Sequence, residues 1–409
     1  MKGAAHHGLR YGSSTMCAEA QGGPNRAFAC QVCQSTVPAG SFCGNCGAPA
    51  RALRTGLRSA TFAVAPDERV VVPLITSSVF PQLAEKYRTP FRHGLFLLVL
   101  MLVAFSMLRL LGPLVIVVAL GMPLLFGLYV WRSDAFKDIS TIALTISIGV
   151  GAVSGAVWWL WTGHAVAAAY DIPLGAAAQL TGVIGFGLVI TLAGTVLMLL
   201  PAPAVRLLRL NTPESLDGFL LGALGALSYS AAGTIAWLTP QFVAGQLDNY
   251  GPWRLLEEAS LYGLVDPLTA AAAGGAVGLA LWFRPARRDG RQPGHVRILL
   301  WLVAAACTML YLAVYIVDAA ELPRDWEMGI DVVITALSMV TARVGVQASL
   351  LYEQPDPTSL VPVWCDDCEA LVPDMPFCPQ CGAAARAMSR SARRERRQAP
   401  TATRENVQP

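Results

Sequence analysis

The chain has 409 residues, of which 54% are hydrophobic and 14% charged, with a formal net charge of +3. Charged residues make up about a quarter of an ordinary soluble domain, so this composition excludes that class. The charges gather in the first 92 and last 58 residues, which leaves a long apolar middle.

Residues 1–29 are rich in Gly, Ser and Ala, carry a His6-His7 pair, and are expected to be a disordered tail; no cleavable signal peptide is expected at this end. Cys30, Cys33, Cys43 and Cys46 follow with the spacing C-x2-C-x9-C-x2-C, and Cys365, Cys368, Cys378 and Cys381 repeat it near the other end. The fillers agree as well. Val37-Pro38 matches Val372-Pro373, Phe42 matches Phe377, and Gly47-Ala48 matches Gly382-Ala383. Two such knuckles bring four thiolates into a tetrahedron of the size Zn(II) takes, and a glycine after the last cysteine allows the positive φ of the turn. Each copy, within 30–48 and 352–384, resembles the zinc-ribbon family, and two structural Zn(II) ions per chain are expected. Modules this small bury too little surface to fold without the metal. Cys17 and Cys307 are left over, the latter as a packing residue in an apolar helix.

Residues 49–92 form a linker with Arg51, Arg54 and Arg58, then a Val70–Ile75 run too short to span a bilayer and suited to its inner interface. The transmembrane domain is placed at 93–351, with eight helices at 93–111, 113–131, 141–162, 178–200, 217–238, 259–283, 297–317 and 330–351. The first two are joined at Leu111-Gly112-Pro113 as a tight antiparallel pair, and Asp266-Pro267 interrupts the sixth. The G-x3-G pairs Gly151/Gly155, Gly218/Gly222 and Gly274/Gly278 predict close packing of the third, fifth and sixth spans. The fold class is therefore an all-α polytopic membrane protein with two small β-type ribbons.

Arginine placement sets the orientation. Arg132, Lys137, Arg206, Arg209 and the Arg284–Arg297 cluster fall on the side of both tails, while Asp248, Glu257, Glu258, Asp318, Glu321, Asp325 and Glu327 fall on the other. Both termini are thus expected in the cytoplasm of a bacterial cell, with the bundle in its inner membrane, where reducing conditions also preserve zinc-binding thiolates. Asp266 and Arg343 lie well inside the spans, at an insertion cost of about 2.5–3.5 kcal/mol each. A direct pair between them needs a long arginine reach; otherwise Arg343 snorkels inward and Asp266 sits protonated or in a small wet pocket. Residues 385–409 are an arginine-rich tail, expected to be disordered and either solvated or drawn to anionic lipid headgroups. Nucleic acid is disfavoured because no aromatic residues are interleaved for base stacking.

Leu216-Asp217-Gly218-Phe219-Leu220-Leu221-Gly222-Ala223-Leu224-Gly225 and the later Val265-Asp266-Pro267-Leu268-Thr269 with Gly274, Gly275 and Gly278 resemble two helices of the PrsW-like glutamic-type intramembrane proteases. The resemblance implies an acidic pair and lysine ahead of the first helix, a glutamate near its end and a histidine in the next. Here a lone Glu214 precedes Asp217, Ser228–Gly233 stands at the glutamate position, and Asp266 stands near the histidine position. With those groups missing, the resemblance implies a degenerate relative. The expected role is a non-catalytic binding or scaffold protein that recruits a cytoplasmic partner through its ribbons. The alternatives are an active protease using Glu257, Glu258 and Asp266, or a small-solute transporter built on Asp266 and Arg343.

Overall fold

In the computed structural model the described residues are 27–50, 62, 64–65, 68–72, 74–81, 85–133, 135–170, 180–208, 214–286, 294–320, 323–354 and 361–398. Most of the expected N-terminal tail, with His6, His7 and Cys17, and the last residues of the C-terminal tail lie outside them. Two antiparallel hairpins flank a helical bundle. β1 (Ala27–Ala29) pairs with β2 (Thr36–Pro38) in register Phe28 to Val37, and β3 (Val363–Cys365) pairs with β4 (Ala370–Val372) in register Trp364 to Leu371.

Between them run α1 (Ile75–Val79), α2 (Glu85–Met107), α3 (Leu111–Arg132), α4 (Ala135–Asp138), α5 (Thr141–Tyr170), α6 (Leu180–Leu199), α7 (Pro201–Leu207) and α8 (Ser215–Val243). Then come α9 (Pro252–Ser260), α10 (Asp266–Trp282), α11 (Gly294–Ala319) and α12 (Arg324–Tyr352). A last helix, α13 (Arg390–Gln398), follows the second hairpin. Among the described residues eight segments are long and apolar enough to cross a membrane, in agreement with the expected number. Their outer faces expose Phe96, Leu124, Val153, Ile298 and Val332, side chains that a water-soluble bundle would turn inward.

The bundle is organised around α8 and the α9–α10 segment, whose most apolar windows are 78% and 83% buried against 22–44% for the other six. Small residues explain this. A Cβ at Gly222 would strike the Gly274 carbonyl and one at Gly278 the Gly218 carbonyl, so these helices meet backbone to backbone in antiparallel register. α5 closes on the other side of α8, also backbone to backbone but in parallel register, with Gly151 against the Gly225 carbonyl and Gly155 against that of Tyr229. Ser147 Oγ donates to the Leu221 carbonyl at 2.7 Å across that contact.

Two local expectations change. The turn between α2 and α3 falls at Leu108–Leu110, with Arg109 at φ 54°, and Leu111-Gly112-Pro113 already forms the first turn of α3, where proline costs no hydrogen bond. Asp266-Pro267 does not break the sixth span. A π-helical turn, Leu261–Val265, widens the helix just ahead of Pro267 and absorbs its missing N–H and bulky ring.

Candidate metal centres and the face they occupy

The thiols that the sequence pairs are brought together at both ends. Cys30 and Cys46 Sγ lie 3.8 Å apart and Cys33 and Cys43 Sγ 3.7 Å apart; Cys365 and Cys381 lie 3.7 Å apart and Cys368 and Cys378 3.8 Å apart. Four sulfurs bound at about 2.3 Å to a tetrahedral ion stand about 3.8 Å from one another; these pairs have that spacing, and all four sulfurs of each site lie within 4.8 Å of one another, so both sites could hold such an ion. The eight knuckle cysteines are free thiols rather than disulfides. Each site is wrapped by turns with the same backbone. Gly47 and Gly382 adopt φ 71° and 76°, as the glycine signal implied, and Gln34 and Glu369 after the first knuckles adopt φ 62° and 51°. Those last two carry no sequence signal of a left-handed turn beyond their place after C-x2-C.

The two ribbons bind each other. Phe42 N–H donates to the Pro379 carbonyl at 2.9 Å, and its counterpart Phe377 N–H donates to the Gly44 carbonyl, the counterpart of Pro379, at 3.0 Å. The Phe42 ring covers Gly382 while the Phe377 ring covers Gly47, where a Cβ would collide. These reciprocal contacts give the repeat an approximate two-fold axis within one chain. A hairpin before the first span and one after the last are thereby joined.

The pair is also fixed to the bundle, through residues 385–398, the described part of the basic tail expected at 385–409. Arg386 pairs with Glu353 at 3.0 Å, and Glu353 accepts from Ser215 N–H at 3.0 Å and Ser215 Oγ at 2.6 Å, capping α8. Along α13, Arg390 reaches Glu214 and Asp217, each at 3.4 Å, Arg393 pairs with Glu214, and Arg397 grips Asp374 at 2.8 and 3.4 Å. Asp138 accepts the Ser391 N–H at the start of α13. Arg393 and Glu214 are both buried. Burial pushes the Glu353 carboxyl above the usual carboxylate range against the pull of Arg386 and Ser215, so this network fixes geometry more than it adds stability. Arg386, Arg390, Arg393 and Arg397 therefore hold carboxylates of the chain itself. A signal was present in their spacing, since Arg386, Arg390, Arg393 and Arg397 recur every three or four residues, as on one face of a helix.

Asp266 and Arg343 do not pair. Asp266 Oδ1 accepts from Tyr315 Oη at 2.6 Å, Oδ2 accepts from Ser230 Oγ, and Tyr311 adds a further hydroxyl 2.9 Å from that of Tyr315. Arg343, fully buried, is turned toward the segment before α1. It meets Glu68 at 3.3 Å, Ser77 Oγ at 2.7 Å and the Arg69 carbonyl at 3.1 Å, and lies 4.2 Å over the Phe62 ring. The Val70–Ile75 run is thus tied into the bundle beside α12. Glu257 and Glu258 line a cavity on the side of the bundle away from the ribbons, while Asp266 points elsewhere, so the three proposed catalytic acids do not converge. Cys307 is buried, as expected of packing, with Sγ 3.9 Å from the Ser338 carbonyl.

No protein-family model matches the chain, and no curated protein or solved structure matches it either, so the PrsW-like resemblance rests on its residues alone.

Proposed function

We propose that this chain is a multi-pass protein of a bacterial inner membrane that acts as a binding or scaffold protein, presenting a paired zinc-ribbon module at its cytoplasmic face. The observation that carries this reading is the reciprocal packing of two four-thiolate sites. A closed tetrahedral site has no open position for substrate, and its effect is to shape a surface. Each ribbon holds one Zn(II), which supplies the folding energy its small core lacks.

The second ribbon carries an exposed apolar cross-strand pair, Trp364 and Leu371, where the first has Ala29 and Thr36. That asymmetry favours a cytoplasmic protein partner on the second ribbon. The membrane domain is a catalytically degenerate relative of the PrsW-like proteases. In support, Ser230, within the Ser228–Gly233 stretch that stands where the resemblance asks for a glutamate, is hydrogen-bonded to Asp266, which lies near the histidine position. The Asp266 carboxyl is taken up by the hydroxyls of Ser230 and Tyr315, which supports a structural role for it.

The test is capture from solubilised membranes. The wild type is expected to retain a defined protein that both Trp364→Ala with Leu371→Ala and Cys365→Ser with Cys368→Ser lose, while Glu257→Gln with Glu258→Gln keeps it. Equal capture by all four forms would reject a role for the ribbons.

A further inference from the structure

The cavity away from the ribbons encloses about 850 Å³, within the range of about 300–1,000 Å³ usual for small-molecule sites. Its deeper walls are apolar, with Leu95 and Val99 of α2, Leu264 and Leu268 around the π-helical turn, and Met339 of α12. Its other end is acidic, lined among the described residues by Glu257, Glu258, Asp318, Glu327 and Asp331 against one guanidinium, that of Arg254. Arg254 is itself stacked 3.9 Å over the Tyr250 ring. Asp331 is the one buried residue among these five acids. It is 7% exposed, lines the cavity, and has an Oδ1 with no hydrogen-bond partner. A buried, unpaired carboxylate oxygen is costly, and the cost is relieved when a cationic donor fills the space in front of it.

We propose that this cavity binds an amphipathic amine, with its ammonium group held by Asp331 and Glu258 and its hydrocarbon chain lying along Leu264, Leu268 and Met339. The spacing of the acids argues against a bare metal ion. Among the described residues, the groups of three or more metal-type ligands within 4.8 Å of one another are the two cysteine sites, and the cavity acids form none. An ammonium needs only one carboxylate at hydrogen-bond distance and can share its other N–H groups with further acceptors, so it does not require three converging ligands as a metal ion does. The net negative charge also discriminates against fatty acids and anionic headgroups, and the apolar walls against a fully hydrated polyamine. This site is independent of the ribbons and of the scaffold reading.

The full zinc-loaded chain in phosphatidylcholine nanodiscs, titrated calorimetrically with octylamine, octanol and manganese(II), tests this, with empty nanodiscs subtracted. Octylamine is expected to bind saturably at one per chain, and octanol about thirtyfold or more weakly for want of the charge. Asp331→Asn and Glu258→Gln should each weaken octylamine by about tenfold or more. Leu264→Trp should block it by filling the apolar half while every carboxylate remains. Zinc content and elution volume certify the fold of each variant, and Glu258→Gln and Leu264→Trp carry the test if Asp331→Asn misfolds. Octanol binding as tightly as octylamine, octylamine affinity unchanged in the variants, or no saturable octylamine binding would overturn the proposal. Displacement of octylamine by manganese(II) would replace it with a metal site.

Discussion

Replacing Arg343 with methionine removes the guanidinium that ties residues 68–79 to α12. The change keeps the apolar stem and most of the volume, so the loss is of charge and hydrogen bonds. Arg343 is fully buried and Glu68 is 19% exposed at its side chain. Removing one partner of a buried pair costs about 3–5 kcal/mol because the other charge is stranded, and partial solvent access to Glu68 places this case near the lower end, at about 3 kcal/mol. At about 1.4 kcal/mol per decade, local opening of the segment should become roughly 150-fold more populated. Hydrogen exchange measured in nanodiscs should show this as faster exchange confined to residues 68–79, with the α8–α10 amides unchanged. Arg343→Lys is expected to recover only part of the protection, since an ammonium cannot fork to Glu68, Ser77 and the Arg69 carbonyl while stacking on Phe62. Adding Glu68→Gln to Arg343→Met should restore protection by removing the stranded charge. Unchanged exchange in Arg343→Met, or no recovery in the double variant, would refute the assignment of Arg343 as the anchor.

Gly222→Leu should unfold or grossly destabilise the bundle, because its side chain meets the Gly274 backbone, whereas Gly149→Ala has open space and should be neutral or slightly stabilising in a thermal melt. Phe42→Ala with Phe377→Ala should leave both metal sites filled yet separate the ribbons, read as a longer distance between spin labels on the two hairpins. Arg393→Ala leaves the buried Glu214 with Arg390 alone, at 3.4 Å, and should loosen α13, seen as proteolytic cleavage after Arg394 or Arg396 in otherwise intact protein. An engineered cysteine within 239–256 should react with an impermeant thiol reagent in intact cells and one within 285–296 should not; the reverse pattern would invert the orientation.

Much of this architecture was legible because it rests on local rules. Runs of about 20 apolar residues have few alternatives to a spanning helix, and a doubled C-x2-C-x9-C-x2-C fixes which thiols meet. The small-residue pairs also specified the centre, since Gly218 and Gly222 can approach Gly278 and Gly274 as no larger side chain could. What escaped was long-range partner choice. Arg343 joins Glu68, 275 residues away in sequence, and Arg393 joins Glu214 across 179. Composition made the C-terminal arginines look like a solvated tail, because buried acids that neutralise them cannot be located from charge counts. The pairing of the ribbons was likewise hidden, since the Phe42 and Phe377 repeat reads as a core position of each module until the rings are seen covering each other's glycines. The cavity was missed for a similar reason: Glu257 and Glu258 were visible as a pair, but Asp331 joins them only through the packing of α12 beside the π-helical turn.

The most direct measurement is metal quantitation with zinc-edge X-ray absorption on the purified full chain. Two zinc ions per chain, each surrounded by four sulfurs at about 2.3 Å, is the expected result. Protein without zinc, or with the knuckle cysteines joined as disulfides, would contradict it.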